Sequence, residues 1–374
     1  MSFGTIQAEK MTTESGYSLG AGNASSFKNR VINGNMVFDQ RGAGASVTPT
    51  NQQYTLDRWI SIVGAASKFS IQQNAGSVTP PVGFTKYLGA TSLSAYSVAA
   101  GDVFGQETRI EGTNTSDLNW GTANAQSVTL SFWARSSLTG TFGGVIRNAD
   151  NNRSYPFTYT ISSANTWEYE TVTIPGDTSG TWATGTTAAG IKITLGLGVG
   201  STYSGTAGSW ASAEYYGATG AVSVVGTNGA TLYITGFQLE VGTVATSFDF
   251  RDYGTELDLC CRYFQKSYQY ATVGGTSTFD GASFIGAGTQ GAALTTGYME
   301  GREPFPVRMR TSPTITGWDT SGNLGKCTRF NPNTANNTNE SAGFAGTERY
   351  VNCTSGSGAN ACTLGFHWYC TAEL

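Results

Sequence analysis

The pattern of hydrophobic and polar positions along most of the chain is typical of short β-strands separated by tight turns. From residue 67 to residue 250, short segments rich in β-branched and aromatic side chains alternate with clusters of Gly, Asn, Ser and Pro. This spacing predicts an antiparallel β-sandwich of the jelly-roll kind. The predicted strands are KFSIQQN, YLGATSL, VFGQETRIEG, SVTLSFWARSS, FGGVIRN, YPFTYTI, WEYETVTIPG, GIKITLGLGVG and ATLYITGFQLEVG.

The chain before residue 67 predicts an arm followed by two strands. Residues 1–29 are polar, small and weakly periodic, and they predict an extended arm that is ordered only against a partner. In the segment NRVINGNMVFD, Val31, Asn33 and Val37 alternate with less regular polar positions, which predicts the first strand. A glycine-rich loop follows, and TLDRWISIVG then predicts a second strand.

One segment, DYGTELDLCCRYFQKSY, departs from the strand pattern and predicts a helix over about residues 255–265. Thr255 is the predicted cap, acidic residues occupy the first turn and basic residues lie near the end. A helix this short is not stable alone, so it must dock on the sandwich or on copies of itself. Its apolar positions have i, i+3, i+4 and i+7 spacing and are Leu257, Cys260, Cys261 and Phe264.

After Gln269 the strand rhythm resumes, with many Gly and Thr residues, and predicts a second and smaller β domain. Its segments are YATVGG, SFIGAG, GYMEGREPFPVRMRTSPTITGW, RYVNCTSG and HWYCTAEL. The predicted fold class is therefore all-β: a jelly-roll β-sandwich, then a short helix and a second, smaller β-sandwich domain. The predicted domains are an arm over 1–29, the jelly roll over 30–252, a helical neck over 253–268 and a distal domain over 269–374.

Composition agrees with this interpretation and excludes several classes of protein. The chain has 374 residues with 50 Gly, 12% aromatic and 12% charged residues, which excludes disordered, helical-bundle and collagen-like chains. The net charge of −4, without a basic cluster, argues against nucleic-acid binding. We find no run of 18 apolar residues and no secretory start. We therefore expect that the chain is made in a cytosol and does not insert into a membrane.

The six cysteines do not have the spacing of a zinc site, because no CxxC pair is present. Cys260 and Cys261 are adjacent, and a disulfide between neighbours would be strained. The last four could form two disulfides in three pairings, whereas a chain made in a cytosol favours free thiols. Both alternatives stay open for Cys327, Cys353, Cys362 and Cys370.

Catalytic patterns are sparse. The only histidine is His367, between Phe366 and Trp368 in the last predicted strand, and the preferred interpretation is a sheet residue beside aromatic rings. No GxSxG turn precedes a helix, so a Ser–His–Asp hydrolase is not predicted. A glycosidase needs only two carboxylates, and two pairs of glutamates on predicted strands could supply them. The alternative is that these charged residues simply face solvent, as is usual on the outer face of a strand. These pairs are Glu107 with Glu111, and Glu168 with Glu170.

Binding is better supported, because several aromatic residues lie in loops of small polar residues, where they could stack on sugar faces. The alternative is that each ring folds back onto the edge of the sandwich or fills the core of the distal domain. Trp59, Trp133 and Trp167 lie inside predicted strands and are expected in the core. No cofactor is predicted and no acidic cluster has calcium-loop spacing, although a structural calcium stays open. The candidate glycan contacts are Trp120, Trp182, Tyr203, Trp210, Tyr215, Tyr216 and Trp318.

Several of these segments resemble a known family. The segments VINGNMVFDQR and YTLDRW resemble the first residues of the carbohydrate-binding-module-like domains of bacteriophage tail fibres. The central strands of those domains resemble GQETRIEGTNTSDLNWGTANAQSVTLSFWARSSLTGTF and NTWEYETVTIPGDTSGTW. The most specific segment is LYITGFQLEVGTVATSFDFRDYGTELDLCCRYF, in which Cys261 stands where the family usually has Gln. The run EPFPVRMRTSPTIT and the closing EL resemble the distal domain that ends many such fibres. The resemblance covers about residues 30–374.

The resemblance implies a virion structural protein, assembled in the host cytoplasm, that recognises host-surface polysaccharide and carries no catalytic residues. Proteins of this family are usually trimers. The expected partners are two further copies of the chain, with the helix as a neck, and other virion proteins bound through the arm. Two alternatives stay open: a head-decoration or fibre-shaft protein without a ligand, and a polysaccharide depolymerase, against which the absence of a repeat of 20–50 residues counts.

Overall fold

The computed structural model of the chain describes residues 10–12, 18–20, 28–286, 299–330, 337–355 and 363–374. The chain forms two compact units, one made of Met1–Val37 with Gly44–Arg251 and the other of Phe38–Ala43 with Asp252–Leu374. Within the predicted arm, β1 (Lys10–Thr12) and β2 (Ser18–Gly20) pair as a short antiparallel ladder.

The first unit is a β-sandwich of two antiparallel sheets. The strands are β3 Gln53–Leu56, β4 Trp59–Val63, β5 Phe69–Gln73, β6 Leu88–Ser92, β7 Val103–Glu111, β8 Val128–Ser136, β9 Gly140–Arg147, β10 Ser154–Ile161, β11 Glu168–Ile174, β12 Ala189–Val199, β13 Ser204–Gly205, β14 Gly217–Ala218 and β15 Thr231–Val241. The six-stranded sheet has the order β10-β9-β12-β7-β4-β3, the five-stranded sheet has the order β11-β8-β15-β6-β5, and β13 and β14 form a short parallel pair. Short 3-10 turns occupy Ala75–Ser77, Gly112–Asn114 and Ser116–Leu118.

Alternation along each strand determines which side chains enter the core between the two sheets. In β8 the even-numbered residues Leu130, Phe132 and Ala134 are fully buried, whereas Trp133 and Arg135 are half-exposed. Successive side chains of a strand point to opposite faces, so the odd-numbered residues of β8 lie on the outer face of the five-stranded sheet. All nine segments predicted between residues 67 and 250 are strands.

Two predictions before residue 67 are wrong in detail. Residues 29–39 form no strand, because Asn33 and Met36 have positive φ angles of 56° and 58° and close a turn. The segment TLDRWISIVG is not one strand but the end of β3 and all of β4, joined by a turn in which Arg58 has a φ of 69°.

Residues 28–31 and 237–251 form a set of non-local hydrogen bonds that we call the clasp. The Asn29 amide donates to the Phe237 carbonyl at 3.1 Å, and its oxygen accepts from the Leu239 backbone at 3.2 Å. Asp249 accepts from the Asn29 backbone N–H at 3.2 Å, and the Arg251 guanidinium donates to the carbonyl of Val31 at 3.2 Å. The segments that resemble the fibre family therefore close the sandwich by joining its first and last residues.

The second unit is built around β23, which is paired along its whole length. Residues 367–371 of β23 pair with β19 and residues 369–371 also with β16, whereas residues 363–366 pair with β17 and residues 363–365 also with β20. Phe344 of β21 lies over Gly317 of β19, where a Cβ atom would be 2.3 Å from the ring, although the two strands are not hydrogen-bonded neighbours, so the sheet folds back on itself. The strands are β16 Phe264–Lys266, β17 Ser283–Gly286, β18 Met299–Pro304, β19 Thr314–Trp318, β20 Lys326–Phe330, β21 Asn337–Thr347, β22 Tyr350–Ser355 and β23 Thr363–Thr371.

Helix α1 spans Tyr253–Cys261, two residues earlier at its start than predicted. Asp252 is the N-cap and accepts from the Thr255 backbone N–H at 3.1 Å, so Thr255 is not the cap. Within the described ranges α1 is the one α-helix, and the predicted all-β class of a jelly-roll sandwich, a short helix and a smaller β unit is confirmed. No described helix has the length and apolar character needed to cross a membrane.

The predicted neck residues do not form one uncovered helical stripe. Phe264 is not helical but opens β16, where Arg41 lies 3.8 Å above its ring and Tyr369 packs at 5.4 Å. Cys260 and Cys261 are 1% and 8% exposed in the single chain, and Leu257 is half-buried. Most of this apolar surface is therefore covered within one chain and does not need neighbouring copies.

The described cysteines are buried in the second unit and none of them is in a disulfide. Cys327 and Cys353 interact as a thiol pair, and that hydrogen bond raises the pKa of Cys353. Burial raises the pKa of Cys370 as well. Cys362 lies outside the described residues. Of the four cysteines for which both alternatives were open, Cys327, Cys353 and Cys370 are thus free thiols.

Candidate functional site

Three of the predicted loop aromatics form one cluster at the edge of the first core. The ring centroids of Trp120 and Trp182 are 4.6 Å apart, and Trp210 lies 5.3 Å from the first and 5.5 Å from the second, all edge to face. Each indole N–H donates to a backbone carbonyl: that of Gln126 for Trp120, of Ser179 for Trp182 and of Pro175 for Trp210. These tryptophans therefore hold the surrounding loops together.

Burial corrects the expectation that all three rings are open for sugar stacking. Trp120 is 4% exposed and Trp182 is 8% exposed, and both belong to the main core cluster. Trp210 is half-buried and packs on Tyr155 at 5.2 Å. A sugar ring needs an accessible aromatic face, so Trp120 and Trp182 do not provide one in this conformation.

The tyrosines of the predicted site lie in the loop that carries β13 and β14. Tyr203 and Tyr216 pack edge to face at 5.7 Å, and Tyr215 lies against Gly205, where a Cβ atom would be 2.3 Å from the ring. All three tyrosines are half-buried. One face of Tyr216 is already occupied by the Arg147 guanidinium, 3.6 Å from the ring centroid.

Arg147 belongs to a buried ion network that was not predicted from the sequence. Glu107 is fully buried in β7 and accepts from Arg109 at 2.7 Å, from Thr194 at 2.8 Å and from Arg147. Burial by itself raises the pKa of Glu107, but the charges of Arg147 and Arg109 outweigh this effect, so the pKa lies below its ordinary value. The network keeps Glu107 ionised and holds Arg147 beneath Tyr216.

The two carboxylate pairs considered for hydrolysis have structural partners. Glu107 and Glu111 are 0% and 2% exposed, which leaves no open access for a polysaccharide. Glu168 accepts from the backbone N–H groups of Ser162 and Ser163, which lowers its pKa, whereas burial raises the pKa of Glu170. Glu168 thus holds the turn between β10 and β11.

The candidate in the second unit, Trp318, is 8% exposed and packs against Tyr268 and Tyr369 at 5.9 and 5.0 Å. Trp318 therefore fills the core of the second unit, which was the alternative to ligand binding, and does not present its ring to a ligand. His367 is fully buried, stacks on Tyr268 at 3.8 Å and bonds to the Thr278 carbonyl at 2.9 Å. Burial lowers the pKa of His367, so the ring is neutral at pH 7.

Exposed aromatic rings occur instead on the outer face of the five-stranded sheet. Trp133 of β8 and Tyr169 of β11 are register partners, and their rings lie 5.3 Å apart. Phe84 packs against Phe248 and Phe250 at 5.2 Å each. Tyr169 is 45% exposed and Phe250 is 55% exposed. We call this surface the aromatic platform, and it consists of Phe84, Trp133, Tyr169, Phe248 and Phe250.

Gly236 allows the two parts of the platform to meet. It lies at a register irregularity of β15 with a φ of 62°, a conformation that favours glycine. A Cβ atom at this position would be 2.6 Å from the ring of Phe84 and 3.2 Å from the ring of Trp133. Both rings can therefore lie this close to the strand only because the position has no side chain.

Trp133 differs from the tryptophans that hold loops together. Within the described part of the chain its ring nitrogen donates no hydrogen bond, and the side chain is half-exposed. Trp167, on the same side of the sheet, donates to the Thr79 carbonyl at 2.9 Å and packs on Tyr87 at 5.5 Å. The ring edge and indole N–H of Trp133 are thus available to a ligand.

Trp59, Trp133 and Trp167 were all expected in the core, and this prediction is correct only for Trp59, which is 0% exposed. The signal that identifies Trp133 was present in the alternation of β8. Leu130, Phe132 and Ala134 set the buried parity, and Trp133 lies on the other one. A position inside a strand determines only the backbone conformation. Whether the side chain faces the core or the outer surface depends on whether its residue number is even or odd along the strand.

No group of three or more His, Cys, Asp or Glu side chains that could hold a metal ion occurs in the described ranges. The structural calcium left open above therefore has no candidate ligand set of this kind there.

The fold and this surface define the chain as a β-sandwich protein with an exposed aromatic face. No family model and no curated protein matches the sequence. Among solved structures, tailspike protein 4 of bacteriophage CBA120, in its enzymatically active domain, matches at 12% identity and a TM-score of 0.33, over 58% of this chain and 22% of that one. The chain thus spans about a fifth of that tailspike's length.

Two carbohydrate-binding modules are similar at the same level. TmCBM61, solved in complex with β-1,4-galactotriose, matches at 10% identity and a TM-score of 0.29, over 57% of this chain and 99% of that one. The CBM22-1–CBM22-2 tandem domain of Paenibacillus barcinonensis Xyn10C matches at 9% identity and a TM-score of 0.27, over 88% and 91%. Similarities of this size do not determine the ligand or activity of the chain.

Proposed function

We propose that the chain binds a glycan through the aromatic platform and does so as part of a virion protein that recognises host-surface polysaccharide. The observation that carries the proposal is the half-exposed ring of Trp133, beside Tyr169 and Phe84, with an indole N–H that donates to no residue of the described ranges. Aromatic rings with one apolar face and one polar group suit ligands that combine C–H surfaces with hydroxyls.

The virion part of the proposal rests on the sequence resemblance to phage tail fibres. In this assembly the chain is a homotrimer, the arm over residues 1–29 binds other virion proteins, and the protein is located on the particle. The chain acts as a binder and not as an enzyme. A non-binding decoration or shaft protein and a depolymerase are the two functions that the experiments below distinguish from it.

The direct test measures binding of the purified chain to polysaccharide extracted from host cells. We expect Trp133→Ala and Tyr169→Ala to lose binding and to keep the fold, since both side chains are half-exposed or exposed. Tyr203→Ala, in the loop of β13 and β14, is the matched control and leaves binding unchanged if the platform is the site. Loss of binding only in the Tyr203 variant would move the site to that loop.

The alternatives have their own readouts. A chain that binds neither cells nor polysaccharide is a structural protein, and reducing ends released from the polysaccharide would identify a depolymerase. Light scattering tests the trimer, because one chain has a mass of 39.3 kDa and the assembly is expected at three times this value. Immunogold labelling of particles tests the location on the virion.

A further inference from the structure

We propose that the glycan bound by the aromatic platform is acidic, and that Arg135 binds its carboxylate. The inference rests on the proposed glycan binding and adds the chemical class of the ligand. Arg135 lies two residues after Trp133 on β8, so both side chains leave the same outer face of the five-stranded sheet. The candidate contact is therefore a half-exposed cation beside a half-exposed aromatic ring.

Arg135 has no polar partner in the described part of the chain. Its guanidinium lies 5.5 Å from the centre of the Tyr233 ring, which is its register partner on β15, and the side chain is half-exposed. The other arginines of the sandwich are occupied, such as Arg30 by Asp117, Arg147 by Glu107 and Arg153 by Asp177. The hydrogen-bonding edge of Arg135 is thus left for a group from outside.

The acids on neighbouring strands do not neutralise this charge. Glu168 and Glu170 of β11 pair with Ala134 and Phe132, the core-facing residues of β8, so they share the opposite face from Arg135. Glu240 of β15 pairs with Thr129, six residues from Arg135 and about 20 Å along the strand. Its carboxylate accepts from Gln238 and Thr246. No acid of β11 or β15 therefore compensates the positive charge of Arg135 beside the platform.

An arginine in this position selects for a carboxylate. The planar guanidinium binds carboxylates through two parallel hydrogen bonds, and the neighbouring rings shield the contact from water. The chain as a whole has a net charge of −4, which repels a polyanion. A polyanion therefore gains from binding where a cation is exposed on an apolar face, and a uronic acid unit supplies both the carboxylate and a C–H surface.

The experiment compares polysaccharides that differ only in this charge. An array carries bacterial surface polysaccharides, each in its native form and after reduction of the carboxyl groups to alcohols, and is probed with the full chain. We expect binding to uronic-acid-containing polysaccharides in the native form and little binding to the reduced form. Raising the salt from about 50 to about 500 mM should weaken this binding, because screening reduces the attraction.

Three variants connect the charge preference to Arg135. Arg135→Gln should weaken binding to the native form about tenfold or more, and Arg135→Lys should recover part of the loss because it keeps the charge. Arg308→Gln is the matched control, since Arg308 is 61% exposed and paired with Glu348 in the second unit. Near-ultraviolet circular dichroism establishes that each variant is folded. If Arg135→Gln does not fold, the Lys variant and the native-against-reduced comparison decide.

Failure of this inference differs from failure of the proposed function. Equal binding to native and reduced polysaccharides, unchanged in Arg135→Gln but lost in Trp133→Ala, overturns the acidic ligand and keeps the platform as a glycan site. Binding to no polysaccharide on the array overturns both. A preference for the native form that persists unchanged in Arg135→Gln also overturns the assignment, because another part of the chain then binds the carboxylate of the polysaccharide.

Discussion

The buried carboxylate of Glu107 offers the sharpest test of how the sandwich is held together. Glu107 is 0% exposed and bonds to Arg109, Thr194 and Arg147, the last of which is 1% exposed. Glu107→Gln keeps the size of the side chain and removes its charge. Arg147 then keeps Glu214 as a carboxylate neighbour, at 3.9 Å, together with the ring of Tyr216.

The expected cost is about 3–5 kcal/mol of unfolding free energy, because the buried guanidinium of Arg147 loses its buried partner and keeps only the partly exposed carboxylate of Glu214. Urea unfolding of the first unit, followed by tryptophan fluorescence, measures the loss. The matched control is Glu348→Gln in the surface pair with Arg308, which should leave stability nearly unchanged, since exposed ion pairs contribute little. If both variants lose the same small amount, the reasoning about burial is wrong.

The pH dependence gives an independent check of the same residue. The folded pKa of Glu107 is below its ordinary value of about 4.3, so the unfolded chain binds a proton more readily at low pH. The contribution of Glu107 to stability is thus fully present above about pH 4.3 and is lost as the pH falls toward the folded pKa. Glu107→Gln should remove this part of the acid sensitivity, and a variant with an unchanged slope would contradict the assignment.

Three further predictions concern other parts of the fold. Trp182→Ala should cost about 3–5 kcal/mol in urea unfolding, as for other large core truncations, and clearly more than Trp210→Ala. Gly236→Ala should cost about 1–3 kcal/mol, through its positive φ and the clash with Phe84, and should exceed Gly229→Ala, where a Cβ atom meets nothing within 4 Å. Because burial lowers the pKa of His367, an NMR titration should give a pKa below the ordinary value of about 6.5. The contribution of His367 to stability should fall as the pH drops below that ordinary value. A measured pKa at or above 6.5 would refute the burial of the ring.

The strand pattern was predicted well where alternation is strong and less well in the second unit. All nine segments between residues 67 and 250 are strands, because β-branched and aromatic residues mark one buried face. In the second unit β20 and β21 were not predicted, and the predicted segment YATVGG forms no strand. β21 is rich in Gly, Ser and Ala and is largely exposed, so no buried face marks it. The first predicted strand is irregular because the clasp uses its backbone and Asn29 for bonds to residues more than two hundred positions away.

The candidate site shows the limit of local composition. Trp120 and Trp182 lie in small polar loops, which suggested exposure, but carbonyls of Gln126 and Ser179 receive their N–H groups and each ring packs on the other. Such contacts join separate loops and have no sequence period. Trp133 could have been found, because the parity of β8 already separates it from Phe132.

The clasp has a mechanical consequence. Residues 28–31 enter the first unit and residues 237–251 leave it, and hydrogen bonds such as Asn29 to Asp249 and Arg251 to Val31 join the two. Tension applied to the chain at Lys28 and Arg251 is therefore carried across these bonds directly. The force then does not pass through the two sheets of the sandwich. We therefore expect a load along the chain to leave the spacing of Trp133, Tyr169 and Arg135 unchanged.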